Sequence, residues 1–92
     1  MEAENIRRED NAEVRITEWR FAPGAATGYH RHEFDYVVVY VTAAKIRAVG
    51  PDGEVTFEMA PGQCYFRKAG VEHDVINAGA ASVTFIEIEL KR

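Results

Sequence analysis

Residues 36–41, Tyr-Val-Val-Val-Tyr-Val, form an unbroken run of β-branched and aromatic side chains. Such side chains prefer the pleated strand, where they pack against cross-strand neighbours. The side-chain period of a strand is two, so Tyr36, Val38 and Tyr40 share one face and Val37, Val39 and Val41 share the other. A strand that is apolar at both parities needs cover on both faces. One face can close a barrel or sandwich core. The other then meets a second sheet layer or another subunit.

The remaining sequence is punctuated in the same style. Strand-like segments at residues 12–21, 29–42, 44–49, 54–59, 63–67, 71–77 and 82–90 alternate with Gly/Pro turns such as Ala-Pro-Gly and Gly-Pro-Asp-Gly. No sustained helical period, repeat or linker interrupts them. About eight short strands at regular spacing predict an all-β sandwich or barrel. A length of 92 residues suits a single domain spanning 1–92. Residues 1–12 are polar and expected to be flexible or loosely attached. Fifteen acidic against eleven basic residues, net charge −4, argue against a nucleic-acid partner. No apolar run reaches membrane-spanning length, which predicts no membrane partner, and the charged N-terminus has no signal-like apolar core. A lone Cys64, expected to be a small buried hydrophobe, suits a reducing compartment; a cytoplasmic location is expected.

The chain contains three histidines, His30, His32 and His73. On one strand His30 and His32 project to the same face, so their imidazoles can reach one metal ion. Another ligand must come from a neighbouring strand, and His73 is the remaining histidine. Read alone, a His-x-His pair on a strand is also compatible with two ordinary partly exposed polar residues.

The spacing around these histidines resembles the cupin superfamily. The first cupin motif runs glycine, five residues, His-x-His, then a glutamate; here Gly24 precedes His30, Arg31 and His32 by that interval. The second motif runs glycine, five residues, Pro-x-Gly, two residues, His, three residues, Asn; here Gly62, Lys68-Ala69-Gly70, His73 and Asn77 keep the spacing. The stretches around 30–41, 65–77 and 85–90 are also similar to a narrower group of short bacterial cupins that carry a loose link to β-alanine degradation. The resemblance implies a cupin-type double-stranded β-helix, a jelly-roll barrel, with a metal held inside by His30, His32 and His73.

The chain departs from the motif at the ligand glutamate. After three intervening residues beyond His32, that position is Tyr36, which shares parity with the histidines. Glu87 is the other candidate replacement, since it shares a face of the last strand with Val83 and Phe85, but parity does not say whether that face looks inward. Lys68 replaces the motif proline, and Ala43 or Ala44 stands where a glycine is expected. Three imidazoles without a carboxylate favour one borderline divalent transition metal per chain, zinc or iron, with nickel also compatible. Three protein ligands leave coordination positions open, as catalytic sites do.

Two functions of different class follow. One is a mononuclear metal-dependent enzyme acting on a small organic acid, either a dioxygenase, as some three-histidine cupins are, or a Lewis-acid isomerase or hydratase. In it Tyr36 is the catalytic candidate, orienting substrate or water. The alternative is a non-catalytic small-molecule-binding or sensor cupin, with or without metal. Arg31 and Arg67 are candidates for attracting a ligand carboxylate; Asn77 is expected to tie the loop after its strand. Val37, Val39 and Val41 on one strand and Ile86, Ile88 and Leu90 on another form apolar rows that predict a homodimer.

Overall fold

The computed structural model describes residues 1–91. Its elements are the strands β1 (Glu4–Asp10), β2 (Val14–Phe21), β3 (His30–Arg31), β4 (Asp35–Tyr40), β5 (Ala44–Gly50), β6 (Gly53–Met59), β7 (Cys64–Arg67), β8 (Glu72–Asn77) and β9 (Val83–Leu90). They form a five-stranded sheet in the order β1-β2-β9-β4-β7 and a four-stranded sheet in the order β3-β8-β5-β6. All the ladders are antiparallel. The fold is all-β, as the strand pattern predicted, and it is the double-stranded β-helix that the cupin resemblance implied. Among the described residues no helix is long and apolar enough to cross a membrane.

The core sits between the two sheets. Phe21, Tyr36, Val38, Tyr40, Val83 and Phe85 contribute from the larger sheet and Ala44, Ile46 and Val75 from the smaller. The two parities of β4 separate as expected. Tyr36, Val38 and Tyr40 are buried, while Val37 and Val39 are partly exposed on the outer face. On β9 the inner row is Val83, Phe85, Glu87 and Glu89, and the outer row includes Ile86, Ile88 and Leu90.

Three expectations are corrected. Residues 29–42 are not one strand: β3 pairs with β8 in the smaller sheet, β4 pairs with β7 and β9 in the larger, and residues 32–34 carry the chain between them. The crossing is held by His32 N–H donating to the Val71 carbonyl and Gly70 N–H to the His32 carbonyl, both at 2.8 Å. The segment 1–12, expected to be flexible or loosely attached, contains β1, laid along the edge of β2 from Glu4↔Arg20 to Asp10↔Arg15. The backbone ladder attaches it, and side-chain bonds add to it: Arg8 to Glu18 at 3.1 Å and Arg7 to Thr17 at 3.0 Å. An edge strand needs no apolar face of its own. Cys64, expected to be buried, is exposed at the start of edge strand β7, opposite Val39.

Asn77 ties the loop after β8. Its side-chain amide donates to the carbonyls of Phe21 (3.3 Å) and Ala81 (2.9 Å), and its oxygen accepts from Gly79 N–H (3.0 Å). The residue is 1% exposed, so water cannot replace these partners. Asn77→Ala is expected to cost about 2–3 kcal/mol, read as a lower urea midpoint at unchanged m-value; an unchanged midpoint would show that the loop holds without it.

Candidate metal centre

The antiparallel register places His30 directly opposite His73 on β3 and β8. His32 follows β3, at the start of the crossing, and turns inward with 7% exposure. The three rings meet edge to face, with centroids 4.7 to 5.1 Å apart. Their Nε2 atoms converge: His32 Nε2 lies 3.0 Å from His30 Nε2 and 3.1 Å from His73 Nε2. Among the described residues these three form the one group of His, Cys, Asp or Glu whose donor atoms could hold a metal ion.

The geometry fits a metal. Nitrogens bound at about 2.0–2.1 Å to one zinc ion stand roughly 3.0–3.4 Å from each other. His30 Nδ1 donates to the Gly28 carbonyl at 2.8 Å, which leaves the Nε2 lone pair free. Burial, followed by the charges of His30 and His73, lowers the His32 pKa from 6.5 to about 3. Burial, followed by the charge of His30, lowers His73 to about 4, against an opposing pull from Asp74. Both imidazoles are therefore neutral at neutral pH, the form that binds metal.

Tyr36 lies against the cluster. Its ring stacks on His32 with centroids 3.8 Å apart and 15° between planes. Its hydroxyl is the one buried side-chain polar atom without a hydrogen-bond partner among the described residues. Burial, then the neighbouring Tyr65 and Glu87, pushes its pKa above the ordinary tyrosine range, so it is a neutral donor. Tyr36 lines an inner cavity of about 130 Å³ together with His73, Tyr65, Arg67 and apolar side chains including Ile46 and Phe57. An outer cavity of about 330 Å³ is lined by His30, His32, Arg31, Glu33 and, from the larger sheet, Arg15, Trp19, Glu87 and Glu89. The histidines thus border both spaces, and Arg31 and Arg67 fall on different ones.

Glu87 faces inward, 8% exposed, but its oxygens lie outside the group of converging donors. Burial, followed by hydrogen bonding and charge from Glu89, raises its pKa from 4.5 to about 8; Trp19 and Arg15 oppose this. Glu89, 9% exposed, takes a hydrogen bond of 2.7 Å from Arg15 Nε. Glu89 and Arg15 were not singled out from the sequence. The signal was present in Phe-Ile-Glu-Ile-Glu-Leu, where Glu89 has the parity of Phe85 and Glu87.

The sign of the pH dependence follows from the two lowered imidazoles. Between about pH 6.5 and 4 the unfolded chain binds protons at positions 32 and 73 that the folded chain refuses. The contribution of these two histidines to the stability of the metal-free protein is therefore full above pH 6.5 and falls as the pH drops through that window, while the raised Glu87 acts in the opposite sense. The urea midpoint should decline from pH 7 to 4, with a shallower decline in His32→Gln; equal slopes in the two proteins would contradict the burial of a neutral His32.

Comparison with known proteins gives a consistent family. The cupin domain family matches residues 17–89. The chain is 58% identical over 82 residues to the beta-alanine degradation protein BauB of Pseudomonas aeruginosa, covering 89% of this chain and 86% of that protein. It superposes on the crystal structure of a cupin domain from Bordetella pertussis Tohama I with a TM-score of 0.95 at 45% identity, over 99% of this chain and 95% of the other. The polyketide cyclase RemF from Streptomyces resistomycificus shares the fold, with a TM-score of 0.78 at 21% identity, over 99% of this chain and 66% of that one.

Proposed function

The chain belongs to the cupin domain family, and on that footing we propose that it is a metal-binding small cupin in which His30, His32 and His73 hold one divalent transition metal ion, zinc or iron, for work on a small organic acid. The observation that carries this reading is the convergence of three imidazole Nε2 atoms, with spacings of 3.0 and 3.1 Å. When bound, the metal supplies Lewis acidity or, as iron, oxygen chemistry. The same reading takes residues 1–92 as one cupin domain working in the cytoplasm.

The chain's own groups orient the ligand. Tyr36 offers a desolvated hydroxyl with no internal partner, so a ligand oxygen satisfies it without displacing a protein bond. Arg67 borders the same inner cavity and supplies the positive charge that a carboxylate needs. The remaining wall is largely apolar, which suits a short carbon chain. At about 30 Å³ for each water-sized group, 130 Å³ holds on the order of four such groups.

Assembly belongs to the same reading. The outer face of the larger sheet carries a cross-strand row of Ile16, Ile88, Val37 and Phe66. Ile86 and Val39 pair in the adjacent row. Phe66 is 49% exposed. A second copy covers such a face with one self-complementary contact, giving a homodimer.

Two measurements test the proposal. Metal analysis of untagged protein purified without chelator should find about one zinc or iron per chain. His73→Ala should lose most of it and stay folded, and Tyr36→Phe should keep it while weakening ligand binding. Full occupancy in His73→Ala defeats the three-histidine site, and no metal in the wild type favours the non-catalytic alternative. Light scattering at micromolar concentration should give twice the 10.3 kDa chain mass, with Ile88→Glu reduced to one chain; a soluble wild-type monomer rules out the dimer.

A further inference from the structure

The inner cavity carries charge of one sign. Arg67 is the only lysine, arginine, aspartate or glutamate in its wall, and among the described residues no carboxylate pairs with that guanidinium. The guanidinium lies over the Tyr65 ring, 4.3 Å from the centroid, and donates to the Phe66 carbonyl at 2.9 Å. Tyr65 is held in turn by its hydroxyl, 3.2 Å from that of Tyr40. The register of β4 and β7 sets Tyr36 directly opposite Arg67, so their side chains leave one face of the sheet as neighbours. An exposed cation at the rim thus stands beside a buried hydroxyl that lacks a partner.

The facing wall offers an ammonium group no counter-charge. Strands β5 and β6 contribute Ile46, Ala48, Val55 and Phe57, and β8 contributes Val75. His73 turns its Nε2 toward His32, at 3.1 Å. Glu87 and Glu89 line the outer cavity and not this one.

We propose that the inner cavity selects short-chain carboxylic acids whose far end carries no positive charge, and rejects amino acids of the same length. The proposal rests on the reading that this cavity holds the ligand, and it adds what the ligand must lack. One carboxylate oxygen takes the Tyr36 O–H and the other an Arg67 N–H, a charge-assisted bond. With the carboxylate at the exposed Arg67 end, the volume of about 130 Å³ is left for a tail of roughly three or four carbon-sized groups. A terminal methyl there meets apolar side chains. A terminal ammonium brings three N–H donors and a full charge. The side-chain acceptors open to it are phenol oxygens: Tyr36, already donating to the carboxylate, and Tyr65, shared with Tyr40. Arg67 adds repulsion of like sign. A buried charge without a counter-ion is costly to enclose, so the discrimination comes from what the wall omits.

Amide NMR titration of the isotope-labelled full chain tests this with two probes of equal length. Butanoate ends in a methyl group and 3-aminopropanoate in an ammonium. Butanoate should give saturable shifts at Tyr36, Ile46, Arg67 and Val75, and 3-aminopropanoate should bind there about tenfold more weakly or worse. Arg67→Gln, a change at an exposed position, should weaken butanoate binding by about tenfold. Ala48→Val, which takes volume from the cavity wall, should weaken butanoate more than acetate. Equal affinity for the two probes overturns the exclusion of amino acids, while the cavity stands as the ligand site. Undiminished butanoate binding in Arg67→Gln, or equal losses of butanoate and acetate in Ala48→Val, overturns the placement of carboxylate and tail. Butanoate without saturable shifts at the cavity residues overturns the ligand reading of the cavity and this proposal with it.

Discussion

His30 faces His73 because of an antiparallel pairing only two residues long. So short a ladder is weak by itself, and the flanking bonds secure its register. Thr27 N–H donates to the Val75 carbonyl at 2.9 Å, Gly28 N–H to the Asp74 carboxylate at 3.1 Å, and Val75 N–H to the Thr27 hydroxyl at 3.2 Å. On the other side the His32 and Val71 backbones close the crossing. A slip of one residue would send the His73 side chain to the opposite face and break the cluster. The ring geometry, the lowered imidazole pKa values and the stack on Tyr36 all depend on that register.

The interior of this thin barrel is unusually polar. Among the described residues it encloses Thr17, His32, Asn77, Glu87 and Glu89 beside ten buried hydrophobic residues. Asn77 is fully engaged with backbone and has a structural role. His32, Glu87 and Glu89 instead border the outer cavity, and Tyr36 keeps an unpartnered hydroxyl. Buried polar groups that lack a full set of partners weaken the folded state. Their concentration around one cluster, with the apolar layer of Phe21, Val83 and Phe85 elsewhere in the core, places the cost in stability at one end of the barrel.

Much of this was legible in the sequence, for physical reasons. Strand faces follow from a period of two, so Tyr36, Val38 and Tyr40 could be separated from Val37 and Val39 before any coordinates. The histidine spacing located the cluster. The break at residues 32–34 was not legible, because a strand that changes sheets keeps its apolar alternation across the bend. The attachment of β1 was hidden because its partners, Glu18 and Thr17, are themselves polar and look like surface. The inward carboxyls of β9 were half visible. Glu87 shared a face with Val83 and Phe85, but only the ladder with β4, which sets Val38 opposite Glu87 and Tyr36 opposite Glu89, turns that face inward.

That ladder also joins the two faces of the barrel. The run at residues 36–41 is apolar on both sides, and β4 divides it: the inner row begins with Tyr36, stacked on His32, and the outer row carries the partly exposed Val37 and Val39. β9 repeats the division one strand away, with Glu87 and Glu89 inside and Ile86 and Ile88 outside. The backbones of β4 and β9 are hydrogen-bonded from Asp35↔Leu90 to Tyr40↔Phe85. Packing a second layer on the outer rows would restrain the same two strands that position Tyr36, Glu87 and Glu89. A rigid wall matters there because hydrogen-bond strength depends on donor–acceptor distance within tenths of an ångström. The inner and outer rows alternate along the same two backbones, so a restraint on one row is a restraint on the other.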